Sequence, residues 1–283
     1  MHDGYGIRTT VFLKGCPLRC AWCHNPETQE DTSELLYYPS KCISCGECIG
    51  ECKSLAQTAD KDKKIDRALC QKCGRCADVC PTGALELCGG ALSVDEIIAT
   101  VEKDVAFYGD EGGITLSGGE PLFSKNACIE LLKACKERGL NTAVETCGFA
   151  DREILISAIP YTDLFLWDIK DTDCDRHRKY TGVSNKPIIE NLKAADACGA
   201  KTRLRCILVN GVNTDRDHYV GIANIALSLV NCEGVEFLPY HAYGGTKSVF
   251  LGNADNGRKE WIPTKEQIEE AKAALREYGA NVF

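Results

Sequence analysis

The chain has 283 residues and a formal net charge of −8 at pH 7, from 41 acidic and 33 basic side chains. This acidic balance disfavours a general nucleic-acid-binding surface. The sequence contains neither a leading apolar run with a cleavage site nor a stretch of membrane-spanning length, so we expect a cytoplasmic protein without a membrane partner.

Strand-like and helix-like segments alternate along most of the chain. Strands are predicted at residues 7–13, 114–116, 142–145, 164–168, 203–209 and 235–238. Helices are predicted to start at Ser93 and Thr264, each of which opens a capping box, and at Ser124. Further helices are predicted at residues 152–158, 188–199 and 219–229.

The alternation itself predicts the fold class. Strands that alternate with helices are parallel and are joined by right-handed crossovers. Six strands are too few for a closed eight-stranded barrel, so we expect an α/β fold, either an open partial (βα)6 barrel or a doubly wound sheet. In both architectures the ligand binds at the carboxyl ends of the strands.

Cysteine usage is exceptional. The chain has 19 cysteines, and eleven of them fall between Cys16 and Cys80. A disulfide framework is typical of small secreted chains, and an odd number of cysteines does not suit it. We therefore expect metal or cluster ligation in a reducing compartment.

Between residues 37 and 87 the alternation stops, and polar residues and cysteines dominate. We interpret residues 36–88 as an inserted ferredoxin-like mini-domain that uses bound metal in place of a large hydrophobic core. The main domain would then comprise residues 1–35 and 89–283.

The insert contains the spacing C-x2-C-x2-C-x3-C twice, which is the bacterial ferredoxin run. In ferredoxins the fourth cysteine of each run ligates the other run's 4Fe–4S cluster. The predicted ligand sets are therefore Cys42, Cys45 and Cys48 with Cys80, and Cys70, Cys73 and Cys76 with Cys52. A pair of zinc sites is the alternative, although zinc usually takes two separated C-x2-C pairs.

Three further cysteines, Cys16, Cys20 and Cys23, follow the first predicted strand with the spacing C-x3-C-x2-C. With Trp22 before the last cysteine, this loop resembles the radical S-adenosylmethionine (radical SAM) superfamily. The resemblance implies that the three thiolates hold a 4Fe–4S cluster whose fourth iron binds S-adenosylmethionine (SAM). A stray surface cysteine, or His24 as a fourth ligand, would also explain the spacing.

Other motifs fall at the ends of the later predicted strands. The resemblance implies that GGEP receives the methionine amino group, and that the residues after the next two strands and in LPYH contact the rest of SAM. A tight turn, a solvated charge pair and a packed histidine are the alternatives for these motifs. The residues implied as SAM contacts are Trp22, Cys23, His24, Gly118, Gly119, Glu120, Glu145, Thr146, Asp168, Ile169, Lys170 and His241.

Within the superfamily, the chain resembles the activating enzymes of glycyl radical enzymes over nearly its whole length. The segments that carry this resemblance are DGYGIRTTVFLKGCPLRCAWCHNPE, TLSGGEP, ETCG, DIK and LPYHAYGGTK, together with the eight-cysteine insert. Two departures are Tyr5, where the family usually has proline, and Lys53, where a ferredoxin run usually has proline.

The resemblance implies an anaerobic oxidoreductase that carries three 4Fe–4S clusters. Reductive cleavage of SAM would yield a 5′-deoxyadenosyl radical, which removes hydrogen from a backbone glycine of a partner glycyl radical enzyme. Flavodoxin or ferredoxin would donate the electron, and the two insert clusters would relay electrons, stabilise the structure or form a docking surface.

Three other functions remain open at this point. The first is a radical SAM enzyme that acts on a small molecule. The second is a non-catalytic iron–sulfur electron-transfer protein, which would explain the insert but not the motifs at successive strand ends. The third is a zinc-bound nucleic-acid module, which the charge and the cysteine spacing disfavour.

Overall fold

A computed structural model describes residues 3–283. Within this range the strands are β1 (Arg8–Leu13), β2 (Glu34–Tyr37), β3 (Leu85–Cys88), β4 (Gly113–Gly118), β5 (Asn141–Thr146), β6 (Leu164–Ile169), β7 (Thr202–Leu208) and β8 (Cys232–Pro239). The α-helices are α1 (Glu47–Glu51), α2 (Arg75–Asp78), α3 (Val94–Val101), α4 (Val105–Tyr108), α5 (Asn126–Glu137), α6 (Arg152–Ala158), α7 (Cys174–Thr181), α8 (Lys186–Ala197), α9 (Arg216–Leu227), α10 (Tyr243–Phe250) and α11 (Lys265–Glu277).

The main sheet has six strands in the order β1-β4-β5-β6-β7-β8, and each strand is parallel to its neighbours. Because crossovers between parallel strands are right-handed, an order that advances in one direction keeps the connecting helices on one face of the sheet. A doubly wound sheet would instead reverse its strand order. The open partial barrel is therefore confirmed, and the doubly wound alternative is wrong.

The core lies between this sheet and its helices. Strand β6 illustrates the reason, because its sequence LFLWDI is a nearly continuous apolar run, as expected for a strand buried on both faces. Phe165 and Trp167 are fully buried, and Leu192 of α8 and Leu155 of α6 belong to the same apolar cluster.

Two predicted helix starts are confirmed and one is wrong. Ser93 and Thr264 each accept the amide of the third helical residue and complete a capping box. Ser124 is not a cap, because Pro121 begins a 3₁₀ turn that Ser124 ends, and Lys125 then bends the chain with a φ of 45°. Helix α5 begins only at Asn126, without a side-chain cap.

Several elements were not predicted, most importantly α7, α10 and the antiparallel pair β2–β3 at the base of the insert. Helix α10 carries two glycines in its sequence YGGTKSVF, and glycine disfavours helix by about 1 kcal/mol relative to alanine. None of the helices within residues 3–283 combines the length and apolar character needed to cross a membrane.

The cysteine-rich segment contains two short helices, α1 and α2, each preceded by a glycine in the left-handed region, Gly46 and Gly74. A small apolar cluster accompanies the cysteines; its other fully buried members are Leu35, Tyr37, Ala84 and Leu85. Strand β2 begins at Glu34, just before the predicted start of the insert. The domain division at residue 36 stays a prediction.

Candidate active site and cluster sites

A cavity of about 150 Å³ lies at the carboxyl ends of the parallel strands. Its lining comes from segments far apart in the chain, because parallel strands deliver their carboxyl ends to one edge of the sheet. The predicted site residues in this lining are Cys16, Cys20, Trp22, Cys23, His24, Gly118, Gly119, Glu145, Asp168 and Lys170.

The three-cysteine loop is held on two sides by backbone hydrogen bonds. The amide of Gly15 donates to the carbonyl of Thr28, and the amide of Arg19 donates to that of Thr181 at the end of α7, both at 2.8 Å. Trp22 packs at 5.5 Å from the Tyr180 ring, measured between ring centroids. These contacts fix the loop without using any of the three thiols.

The Gly-Gly pair at the end of β4 is required by the approach of this loop. A Cβ on Gly118 would lie 2.3 Å from the carbonyl oxygen of Leu13, and one on Gly119 would lie 2.3 Å from that of Gly15. Real side chains do not approach backbone so closely, so only glycine lets β4 pack against the start of the cysteine loop. The pair is thus more than a tight turn.

Four charged side chains form the polar wall of the cavity. The ammonium of Lys170 lies 2.8 Å from Oδ2 of Asp168, and Nε of Arg205 lies 3.6 Å from Oδ1 of the same carboxylate. Arg205 also pairs with Glu145. Burial acts to lower the pKa of Lys170, but its negative neighbours, with the Asp168 carboxylate first among them, raise it overall, so the amine stays charged. The wall therefore offers fixed charges of both signs.

Arg205 was missed in the sequence. It occupies the β7 position that pairs with Asp168 of β6. Its position between the apolar residues Leu204 and Cys206 of a predicted strand (TRLRCIL) was the available signal. Other lining residues not predicted are Leu18, Asn25, Thr28, Gln29, Ser117, Cys147, Ile207 and Leu238.

Four predicted SAM contacts lie outside the cavity lining, namely Glu120, Thr146, Ile169 and His241. The Glu120 carboxylate is fully buried and accepts hydrogen bonds from the Thr146 hydroxyl at 2.8 Å and from the Cys147 amide at 2.7 Å. Burial raises the pKa of Glu120. Glu120 thus ties the Gly-Gly turn to the end of β5, and its contact with SAM stays a prediction.

His24 and His241 are stacked behind the cysteine loop, with ring centroids 3.7 Å apart. Burial lowers the pKa of His24 to about 4 and also lowers that of His241, so both rings are neutral at pH 7. Within residues 3–283, Nε2 of His24 and Nδ1 of His241 are buried without a hydrogen-bond partner. Buried polar atoms normally have partners, so Nε2 of His24, a residue of the cavity lining, suits a polar ligand there.

The cavity thiols are protonated when no iron is bound, because burial raises the pKa of Cys16 to about 11 and that of Cys20 to about 12. Iron binding must release these protons. Cys147 is a fourth cysteine in the lining; its backbone amide donates to the Glu120 carboxylate, and burial raises the pKa of its thiol. Among residues 3–283, no group of three or more His, Cys, Asp or Glu side chains is arranged to hold a single metal ion.

The insert brings together the four cysteines of each predicted set. A pocket of about 20 Å³ is lined by the first set, Cys42, Cys45, Cys48 and Cys80. In the second set, burial and then the charges of three neighbours raise the pKa of Cys76 to about 11; these neighbours are Cys70, Cys52 and Cys73. The runs thus exchange their fourth cysteines in space, as a ferredoxin arrangement requires.

Backbone amides point at several of these sulfurs. The amide of Ala56 donates to Sγ of Cys52 at 3.3 Å, and that of Ala84 donates to Sγ of Cys80 at 3.2 Å. Such bonds favour the thiolate, which is the form that ligates iron. The donor set and its hydrogen bonds fit two iron–sulfur clusters.

Comparisons with known proteins show what the chain is similar to. A family model described as a 4Fe-4S single cluster domain matches residues 2–170. The chain is 41% identical over 262 residues to the isethionate sulfite-lyase activating enzyme of Nitratidesulfovibrio vulgaris, covering 89% of this chain and 84% of that protein. It is 38% identical over 286 residues to the choline trimethylamine-lyase activating enzyme of Oleidesulfovibrio alaskensis, covering 98% and 92%.

A solved structure with a similar fold is a radical SAM methyltransferase from Sphaerobacter thermophilus. The TM-score is 0.51 at 16% identity, and the match covers 67% of this chain and 55% of that chain. At this identity the likeness concerns the fold alone.

Proposed function

The chain belongs to the activating enzymes of glycyl radical enzymes, a radical SAM family, and from this premise we propose how its own residues perform the activation. Enzymes of this family use SAM to generate a radical on a partner protein. We assign roles to residues because one cavity is lined by the three cysteines, the Gly-Gly turn and the charged wall.

We propose that Cys16, Cys20 and Cys23 hold the SAM-binding 4Fe–4S cluster. When bound, this cluster supplies one electron for cleavage of SAM to methionine and a 5′-deoxyadenosyl radical, which takes hydrogen from a backbone glycine of the partner. Three thiolates leave one iron for SAM, which follows the rule that catalytic metal sites keep an open position.

The charged wall supports a role in orienting SAM. Lys170 and Arg205 would hold the methionine carboxylate, whereas Asp168 and Glu145 would accept hydrogen bonds from the amino group or the ribose hydroxyls. Their ion pairs restrain all four side chains before SAM binds. Preorganised charges of this kind cost no reorganisation during the reaction.

Aromatic packing supports the exclusion of water from the cluster loop. Trp22 is 4% exposed and lies 6.1 Å from Trp261, measured between ring centroids. Tyr240 and Tyr180 complete the same apolar group. This packing shields the loop next to Cys23 and would protect a reactive radical from solvent.

For the insert, residues 36–88, we propose two auxiliary 4Fe–4S clusters, which bring the total to three. The first set of four cysteines around one pocket and the proximity of Cys52 to the second run support this proposal. An electron would pass from a flavodoxin or ferredoxin through the insert to the cluster loop. We also propose that the enzyme works anaerobically in the cytoplasm, consistent with 19 free cysteines.

The first experiment is iron analysis and EPR spectroscopy of anaerobically reconstituted protein. We expect about twelve irons per chain, a number that three 4Fe–4S clusters require. Cys16→Ala should lose SAM cleavage, whereas Cys198→Ala, at an exposed cysteine outside every predicted site, should keep it. Retained cleavage in Cys16→Ala would contradict the proposed catalytic cluster.

The second experiment identifies the substrate of the radical. The reduced protein and SAM are mixed with candidate glycyl radical enzymes, including an isethionate sulfite-lyase and a choline trimethylamine-lyase. A glycyl radical signal by EPR on one of them is the expected result. Vigorous SAM cleavage with no partner radical, but with a small molecule consumed, would favour the small-molecule alternative.

A further inference from the structure

The two cysteine runs of the insert are internally repeated in sequence and in backbone shape. Each cysteine of the first run has a counterpart 28 positions later. Non-glycine residues with positive φ occur at equivalent places, Ser44 at 58° and Lys72 at 53°, and the following glycines repeat at 85° and 79°. Because the two backbone frames are alike, side chains must account for any difference between the two sites.

The most prominent difference is Lys64, whose counterpart in the repeat is Leu36. Lys64 is only 5% exposed and lines the pocket of the first cysteine set. Its ammonium donates to the carbonyl of Thr58 at 2.7 Å, and no carboxylate among residues 3–283 forms a salt bridge with it. A lysine is almost never buried to this degree without a counter-charge.

The pocket itself contains the counter-charge. Four thiolates around a 4Fe–4S cluster carry a net negative charge, and the Lys64 side chain lines the same pocket as Cys42, Cys45, Cys48 and Cys80. Reduction adds one more electron and no compensating cation. A nearby buried ammonium, weakly screened by water, therefore stabilises the reduced state more than the oxidised state.

At its buried side the second set has a neutral donor instead, while the charge of Arg75 acts on this set only at the exposed Cys73, where water screens it. Nε2 of the buried Gln57 donates to Sγ of Cys76 at 3.4 Å, whereas the counterpart of Gln57 in the repeat is Leu85. A hydrogen bond from a neutral amide also raises a cluster's reduction potential, but by less than a full positive charge does.

We propose that Lys64 raises the reduction potential of the cluster held by Cys42, Cys45, Cys48 and Cys80 above that of the second auxiliary cluster. An electron that enters the insert then resides on the first cluster. This assignment rests on the two auxiliary clusters of the proposed function. It adds that the first cluster holds the electron and that Lys64 determines this.

The test is an EPR-monitored redox titration of the full chain, reconstituted anaerobically. Changing Cys16, Cys20 and Cys23 to alanine leaves only the auxiliary couples to titrate. In this background Lys64→Met should keep its iron and shift the couple of higher potential to a more negative value. Lys64→Gln retains a hydrogen-bond donor for Thr58 but loses the charge, so it should lower the same reduction potential. Lys64→Arg keeps the charge and should keep the wild-type potential.

Two control variants test whether the effect requires a positive charge at position 64 itself. Lys63→Met removes the same charge from the exposed neighbouring lysine and should leave both couples in place. Gln57→Leu should lower only the other couple. Iron-loaded Lys64→Met and Lys64→Gln proteins with unmoved potentials would overturn this inference alone. If the variant with Cys16, Cys20 and Cys23 changed to alanine bound no iron, the proposed pair of auxiliary clusters would be overturned instead.

Discussion

The ammonium of Lys247, on α10, lies 2.5 Å from the carboxylate of Glu27, just after the three-cysteine loop. The same ammonium donates to Oδ1 of Asn25 at 2.9 Å. Near the start of α10, Gly244 packs so closely on the loop that a Cβ would lie 2.2 Å from the carbonyl oxygen of Cys23. Helix α10 therefore clamps the end of the loop, in addition to the backbone contact from α7.

Lys247→Met should loosen this clamp. Because Lys247 is 41% exposed, we expect the free energy of unfolding to fall by about 1 kcal/mol or less. The larger effect should be on SAM affinity and on the EPR signal of the loop cluster, since the clamp holds the residues that follow Cys23. Lys259→Met, at another exposed lysine, is the control. Unchanged SAM affinity in Lys247→Met would show that the clamp is dispensable.

Gly119→Ala should displace the start of the three-cysteine loop. A methyl group there meets the carbonyl of Gly15, which cannot move without moving the loop, so we expect a loss of roughly 1–3 kcal/mol in the free energy of unfolding. Iron at the loop should fall while iron in the insert stays. Gly90→Ala, where a Cβ meets nothing within 4 Å, is the matched control. Equal iron in both variants would contradict this role of Gly119.

Arg205→Met should be the most damaging change in the charged wall. It leaves the buried Glu145 carboxylate without its ion-pair partner and Asp168 with Lys170 alone, which should cost about 3–5 kcal/mol of unfolding free energy. Arg203→Met, on the same strand, breaks a comparably buried pair with Glu233 away from the cavity. Calorimetric SAM binding by the folded fraction should be lost only in Arg205→Met; equal loss in both would indicate a general packing defect.

The parts of the site that were predicted from sequence depend on local spacing and on topology. Cysteines two or three residues apart must lie close together, and parallel strands bring their carboxyl ends to one edge. These two facts together explain why Cys16, Gly118, Glu145 and Asp168, which are distant in the chain, line one cavity.

The parts that were missed depend on tertiary contacts. The sequence places Arg205 in a buried strand, but only the pairing of β7 with β6 shows that it meets Asp168. The burial of Glu120 depends on the end of β5, which provides its hydrogen-bond donors. Helix α10 has weak intrinsic propensity, and packing against the cysteine loop stabilises it.

The stability of the protein should fall as the pH is lowered from about 6.5 to 4, in part because of His218. This histidine is fully buried, with Nδ1 accepting from the Thr172 amide at 3.2 Å. Burial lowers its pKa to about 4, and Arg176 adds to this effect while Asp171 opposes it. In this range the unfolded chain binds a proton that the folded chain does not, so stability is lost as the pH falls.

The loss attributable to His218 should not exceed about 3 kcal/mol. Urea unfolding of His218→Gln at several pH values should show a shallower decline between pH 6.5 and 4 than the wild type. If the two declines were parallel, the neutral buried histidine would not be the cause.

Cys147 tests whether the cluster loop has three cysteine ligands or four. It lines the cavity beside Cys16, but its backbone amide donates to the Glu120 carboxylate, which fixes the end of β5. Cys147 also lies outside the C-x3-C-x2-C loop, whose three cysteines suffice for a cluster with one open iron, so Cys147→Ser should keep the iron content and keep SAM cleavage within roughly twofold of the wild type. Cys20→Ser should lose both. Loss of loop iron or an altered cluster EPR signal in Cys147→Ser would instead make Cys147 a ligand, and the iron proposed to bind SAM would then be occupied.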